Sequence, residues 1–175
     1  MKTAIIYATT EGQTRKICQF LADRLVDLGV SVELLDVDDA AGTPLDRFDQ
    51  VILAASIHAG GYQKSISRFV SQNVSAINNR MPVFLSVSLS AAGTDEEDWK
   101  GVHRILEAFL AETGLQPDRV EHVAGAFRFS EYDFLKTLAM RWIAHQKGED
   151  IPRGEDREYT DWAQLEELAT QLSGA

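Results

Sequence analysis

Short apolar runs alternate with amphipathic segments along this chain, and that alternation constrains its fold more than any other feature. Residues 3–8, 30–37, 51–56, 82–88 and 120–127 are runs of strand length. The run at 51–56 shows no polar alternation, so it reads as a strand buried on both faces. Between the runs, residues 14–28, 62–78 and 98–113 carry apolar side chains at helical spacing, as in Ile66, Phe69, Val70, Val74 and Ile77. Gly29 and Gly114 stand where helices should stop. Pro82 stands at the first residue of a strand, where a missing N–H is tolerated. Residues 160–172 read as a last helix, with Thr160 as its cap and Asp161 in its first turn. Five strand-length runs interleaved with helical segments predict an α/β fold, doubly wound, with helices on both faces of a five-stranded parallel sheet. Right-handed crossovers leave few topologies, and five strands suit the order 2-1-3-4-5. In that order a ligand sits beyond the carboxyl ends of the first and third strands. The 175 residues suit a single domain over 1–175, at roughly 150 residues per domain.

Residues 128–159 break the rhythm. Connections of this kind usually take about 2–6 residues, so the segment reads as an insertion before the last helix with structure of its own. Within it, 133–145 has Phe134, Leu138 and Trp142 at i, i+4 and i+8. This helix either packs on the sheet edge or meets a membrane or another partner. Lys136, Arg141 and Lys147 flank its apolar residues in the manner of snorkelling cations, and Trp142 suits an interface level.

Charge narrows the function. The formal net charge of −10 argues against a duplex nucleic-acid binder and against attraction of the whole surface to an anionic membrane. Locally the balance reverses. Between residues 128 and 148, Arg128, Lys136, Arg141 and Lys147 face only Glu131 and Asp133, so peripheral membrane contact is expected there if anywhere. Cys18 is the only cysteine, which excludes an internal disulfide and a cysteine-based zinc site. Its helical neighbours Ile17, Leu21 and Leu25 give it a packing role. The four histidines are scattered, and no metal is expected. The apolar run near Met1 is too short for a signal peptide and no stretch approaches a membrane span, so a cytoplasmic location is expected.

The first strand runs directly into Thr9-Thr10-Glu11-Gly12-Gln13-Thr14, and a helix follows. Hydroxyls can donate to a phosphate, Gly12 permits close backbone approach, and a helix N-terminus supplies orphan N–H groups and the positive end of its dipole. The loop lacks the signatures of nucleoside triphosphate and dinucleotide binders, which leaves a monophosphate as the natural fit. A phosphoacceptor receiver domain shares this strand order, but it would need paired acids where Thr9 and Thr10 stand and an Asp where Ser56 stands.

The loop resembles the flavin mononucleotide (FMN) loop of flavodoxins, with Thr9, Glu11, Gly12 and Thr14 matching. Two further loops fit, one beginning Ser56-Ile57-His58-Ala59-Gly60-Gly61-Tyr62 and the other Ser88-Leu89-Ser90-Ala91-Ala92-Gly93. A narrower likeness runs along nearly the whole chain. Thr9 through Arg15, Ala55-Ser56-Ile57, Met81-Pro82 with Ser86-Val87-Ser88-Leu89, Pro117-Asp118-Arg119, Ala124-Gly125-Ala126 with Arg128, and Tyr159-Thr160-Asp161-Trp162 are similar to the menaquinone-dependent protoporphyrinogen oxidase family. That family carries an extra segment where 128–159 lies. The resemblance implies a flavodoxin-like fold and FMN held by Thr9, Thr10, Glu11, Gly12, Gln13 and Thr14 at the phosphate. At the ring it implies Ser56, Ile57, His58, Ser88, Leu89 and Ser90. It further implies oxidation of protoporphyrinogen IX to protoporphyrin IX in haem biosynthesis, with menaquinone or ubiquinone as acceptor and a place on the cytoplasmic face of the inner membrane. His58 and Arg128 are the candidate catalytic side chains, His58 as a proton donor or acceptor and Arg128 as a partner for a propionate. The chain departs from family members by carrying His58 and Ala59 where Arg and Tyr are expected. It departs from carrier flavodoxins by offering only His58 and Tyr62 as rings in the third-strand loop. An electron carrier docking on protein partners and an FMN-dependent quinone reductase are the alternative readings.

Overall fold

A computed structural model describes residues 1–127 and 157–174. Five parallel strands form the sheet: β1 (Lys2–Ala8), β2 (Ser31–Asp36), β3 (Gln50–Ser56), β4 (Val83–Ser88) and β5 (Arg119–Ala124), in the order β2-β1-β3-β4-β5. This is the order expected from the sequence. The helices are α1 (Gln13–Asp27), α2 (Lys64–Asn78), α3 (Glu96–Thr113) and α4 (Trp162–Leu172).

Each face of the sheet has its own core, as a parallel sheet requires. On one face Ile5, Ile52 and Leu85 meet Ile17, Leu21 and Leu25 of α1 and Leu165 and Leu168 of α4. Cys18 is fully buried in this layer, and burial pushes its thiol pKa up, so it packs as a small apolar side chain. On the other face Ile6, Leu53 and Phe84 meet Ile66, Phe69 and Val70 of α2 and Leu106 and Phe109 of α3. Phe84 stacks on Phe109 at 4.9 Å between centroids, and Tyr62 sets its edge against both rings.

The helix ends follow their local chemistry. Gly114 takes a left-handed φ of 74° to close α3. Asp95 caps its start, accepting from Glu97 N and Asp98 N. The start of α4 differs from expectation. Asp161, not Thr160, is its cap, accepting from Ala163 N and Gln164 N. Thr160 is buried one residue earlier, where its hydroxyl donates to Ala124 O at 2.8 Å.

The fifth strand is also shorter than the apolar run suggested. It ends at Ala124, and Ala126–Phe127 (β6) turns away to pair antiparallel with Arg157–Glu158 (β7). Gly125 makes the break. A Cβ there would lie 3.3 Å from Val87 Cγ1, so a side chain is crowded at the crossing. Gly125 N donates to Ser88 O, and Tyr159 N donates to Gly125 O. Residues 157–158 at the end of the expected insertion thus form a ribbon with β6. Arg128 and the helix expected over 133–145 lie outside the described residues. No helix among the described residues is long and apolar enough to cross a membrane.

Phe84 is fully buried on a central strand between α2 and α3. Phe84→Ala should cost ~3–5 kcal/mol, read as a lowered urea midpoint with an unchanged slope.

Candidate functional site

Parallel pairing brings the carboxyl ends of β1, β3, β4 and β5 to one edge, and the loops leaving them line a single cleft. The first loop contributes Thr9, Thr10, Glu11, Gln13 and Thr14 to its wall. Ser56, Ile57 and His58 line the cleft from the third strand, and Ser88, Leu89 and Ser90 from the fourth. Every expected cofactor-binding residue except Gly12 therefore faces this space. Gly12 acts through its backbone: it holds a left-handed φ of 86°, donates its N–H to Thr9 Oγ1 at 2.9 Å and accepts from Lys16 N.

The start of α1 suits an anion for reasons visible in the structure. It has no side-chain cap and no acid in its first turn. The first N–H groups of any helix lack an intrahelical acceptor. Thr14, in that first turn, is 1% exposed, and its Oγ1 has no hydrogen-bond partner. A buried unpaired hydroxyl costs about 1–3 kcal/mol, which a phosphate oxygen would recover. The residues present therefore fit the phosphate of a mononucleotide.

Several parts of the site have no local signature in the sequence. Gln63 joins two walls, its Nε2 donating to Ser56 Oγ at 2.7 Å and to Thr10 Oγ1 at 3.1 Å. Gln13 donates through Nε2 to Thr160 Oγ1, tying the phosphate loop to the segment before α4. Lys16 forms an ion pair with Glu158, and its ammonium lies over the Trp162 ring. Burial alone would raise the Glu158 pKa. Hydrogen bonds from Lys16 and Gln13, with the Lys16 charge, outweigh it and hold the carboxyl below its ordinary value. Ala59, Gly60, Val87, Gly125 and Ala126 complete the cleft lining.

His58 begins a tight hairpin. Its N–H donates to Gly61 O and Gly61 N donates back to His58 O. The two residues between, Ala59 and Gly60, have φ of 50° and 85°, as a type I′ turn demands. An alanine held there costs about 1–2 kcal/mol. The hairpin fixes His58 against the cleft while leaving it half-exposed.

The other aromatic residues near these loops are used elsewhere. The Tyr62 hydroxyl bonds Ser86 Oγ at 2.7 Å, and burial pushes its pKa up to about 12. Trp99 donates through Nε1 to Gly93 O and packs on His103 and His122. Burial and the neighbouring His103 lower the His122 pKa against the opposing pull of Glu121. Among the residues whose side chains are described, no Phe, Tyr or Trp lines the cleft.

Thr14→Val replaces the unpartnered hydroxyl with a methyl. Ligand-free stability should hold or rise, while FMN affinity falls about tenfold, the worth of one hydrogen bond to a charged group. Flavin fluorescence quenching measures it. Riboflavin, which lacks the phosphate, should bind both forms alike.

Comparison with known proteins agrees with this architecture. Residues 4–151 match the model of a family described as flavodoxin domain. The protoporphyrinogen IX dehydrogenase (quinone) of Escherichia coli (strain K12) is 29% identical over 173 residues, which cover 99% of this chain and 95% of that protein. A protein of the same name from Leishmania major is 27% identical, covering 98% of this chain and 74% of its own. Among solved structures, a flavodoxin from Streptococcus pneumoniae TIGR4 matches with a TM-score of 0.60 at 16% identity, covering 99% of both chains. A flavodoxin from the domain Archaea matches with a TM-score of 0.57 at 12% identity, covering 99% of this chain and 97% of its own. At those identities the solved structures speak for the fold alone. The family match spans most of the chain and covers the phosphate loop and both further cleft loops, so the chain belongs to the flavodoxin domain family.

Proposed function

We propose that this chain is an FMN-dependent dehydrogenase that oxidises protoporphyrinogen IX to protoporphyrin IX and delivers the electrons to a quinone. The full-length similarity to the Escherichia coli and Leishmania major dehydrogenases supports the substrate and the acceptor class. One observation carries the choice of enzyme over electron carrier: no aromatic ring of the described Phe, Tyr and Trp residues lines the cleft, and its walls are hydroxyls, backbone and small side chains. Such walls leave a flavin face open to a flat substrate.

FMN, when bound, supplies the two-electron chemistry. The chain's own residues bind and orient. Thr9, Thr10 and Thr14 offer hydroxyls at the phosphate end, and the start of α1 offers N–H groups and a positive dipole. Gln63 holds the first and third loops together, so the phosphate and ring ends of the cleft keep a fixed relation. His58 stands on its hairpin at the ring end, within the cleft wall, as the candidate for moving a proton. The overall reaction removes six electrons and six protons from the porphyrinogen and reduces three quinones to quinols, in three rounds.

Anaerobic protein given FMN, protoporphyrinogen IX and a soluble menaquinone analogue should generate porphyrin fluorescence well above the uncatalysed rate, with quinol formed in a threefold molar ratio. FMN-loaded protein that binds flavin but produces no porphyrin would favour the carrier reading.

The membrane reading belongs with this proposal. A lipid-soluble acceptor suits an enzyme on the cytoplasmic face of the inner membrane, and residues 128–148 hold the local excess of bases together with Phe134, Leu138 and Trp142. Deleting residues 131–149 should lower co-sedimentation with anionic vesicles while FMN affinity is kept. Unchanged vesicle binding would remove the membrane role from this segment.

A further inference from the structure

A second cavity lies on the face of the sheet covered by α2 and α3. It measures about 730 Å³, within the roughly 300–1,000 Å³ of small-molecule sites. Tyr62, Ile105 and Phe109 supply apolar wall, and three bases stand over it: Lys64 and Arg68 from α2 and Arg104 from α3. Lys64 and Arg68 are four residues apart, so they share one helix face.

The net charge is −10, and Lys2, Lys16, Arg24, Arg47, Lys100 and Arg119 each form an ion pair. Lys64, Arg68 and Arg104 form no ion pair and no side-chain hydrogen bond among the described residues. Arg15 and Arg80 likewise show no ion pair among the described residues, but Lys64, Arg68 and Arg104 stand together around one cavity. Three cations without a described partner around one apolar-walled cavity suit an amphiphile with carboxylates on one edge. Arg presents a planar fork matched to carboxylate geometry.

Position links the cavity to the flavin cleft. Gly60, at the tip of the 58–61 hairpin, lines both spaces, so the two adjoin at that residue. The charge is also graded. α2 and α3 both begin at the carboxyl edge of the sheet. Lys64 and Arg68 lie in the first turns of α2, and Arg104 lies in the first half of α3. Glu112, the acid of the cavity, lies near the far end of α3. From Arg104 to Glu112 is ~12 Å along the helix axis. Carboxylates are therefore favoured near the cleft and repelled from the opposite end.

We infer that Lys64, Arg68 and Arg104 form the carboxylate-binding subsite for the substrate, gripping the propionate edge of the tetrapyrrole while its macrocycle extends past Gly60 to the flavin. This rests on the dehydrogenase reading above. The apolar wall of Ile105 and Phe109 takes the hydrocarbon face beside the carboxylates. The subsite distinguishes tetrapyrroles by their acidic side chains, a selection that the described walls of the flavin cleft, which hold no lysine or arginine, do not make.

The test is direct binding of protoporphyrin IX, the product, to FMN-loaded protein, followed by its Soret absorption and compared with the dimethyl ester, which lacks the charges. The variant K64Q/R68Q/R104Q changes exposed side chains only. It should bind the diacid at least about tenfold more weakly, keep its FMN affinity, and bind the diester no differently from the unmodified protein. A charge-matched variant at remote sites, K2Q/R24Q/R47Q, should keep the diacid affinity. The subsite is overturned if the triple groove variant retains diacid affinity, if the diester binds the unmodified protein as well as the diacid does, or if the remote variant loses as much. Turnover separates the two readings. Diacid binding that depends on the three bases, without porphyrin formation from porphyrinogen, upholds the subsite and removes the dehydrogenase. Porphyrin formation with KM unchanged in the groove variant does the reverse.

Discussion

Parallel strand pairing is the constraint on which everything else depends. Because all five strands of the sheet run the same way, each must return by a crossover, and each helix must begin at the edge where a strand ends. The loops at that edge are forced together whatever their sequence. Their side chains then decide what they hold. In this chain they bring hydroxyls, a left-handed glycine and an uncapped helix start to one point, and a histidine hairpin to another. Neither half of the site could be built alone, since its loops follow β1, β3 and β4.

The sheet was legible in the sequence because its signal is local and repeated. Apolar runs of strand length, helical stripes and glycine stops all pointed to one topology, and the loop after β1 stands in the sequence as a contiguous motif. What escaped was carried by contacts between distant positions. Gln63 reaches Thr10 across 53 residues, and Gln13 reaches Thr160 across 147. No periodicity marks such pairs. The division of the last apolar run escaped for a different reason: Val123-Ala124-Gly125-Ala126-Phe127 keeps strand composition throughout. The chain turns because Gly125 crosses close to Val87, which is a packing fact. Thr160 misled for a related reason. It has cap chemistry and stands next to a helix, but burial and the Ala124 carbonyl claim its hydroxyl, and Asp161 takes the cap.

The two faces of the sheet divide the labour unequally. The α1–α4 side is tied tightly to the cofactor loop, through Gln13 with Thr160 and Lys16 with Glu158. The α2–α3 side has a stacked aromatic core at Phe84 and Phe109, yet leaves an open groove above it. A substitution on the first side should disturb flavin and stability together. On the second side, the exposed groove residues can change with little effect on the core beneath them.

The short ribbon of β6 and β7 has a further consequence. Its paired residues, Ala126 with Glu158 and Phe127 with Arg157, close the two ends of the intervening segment against each other. The entropy of closing a loop grows only logarithmically with its length, and here the closure lies outside the five-stranded sheet. Residues can therefore be gained or lost between 127 and 157 without altering the strand order of the sheet or the handedness of its crossovers. The same ribbon is anchored to the first turn of α1 through Glu158 and Lys16. The fold thus has a port of evolutionary growth beside its cofactor, at which new specificity can be added while the flavin-binding body stays constant.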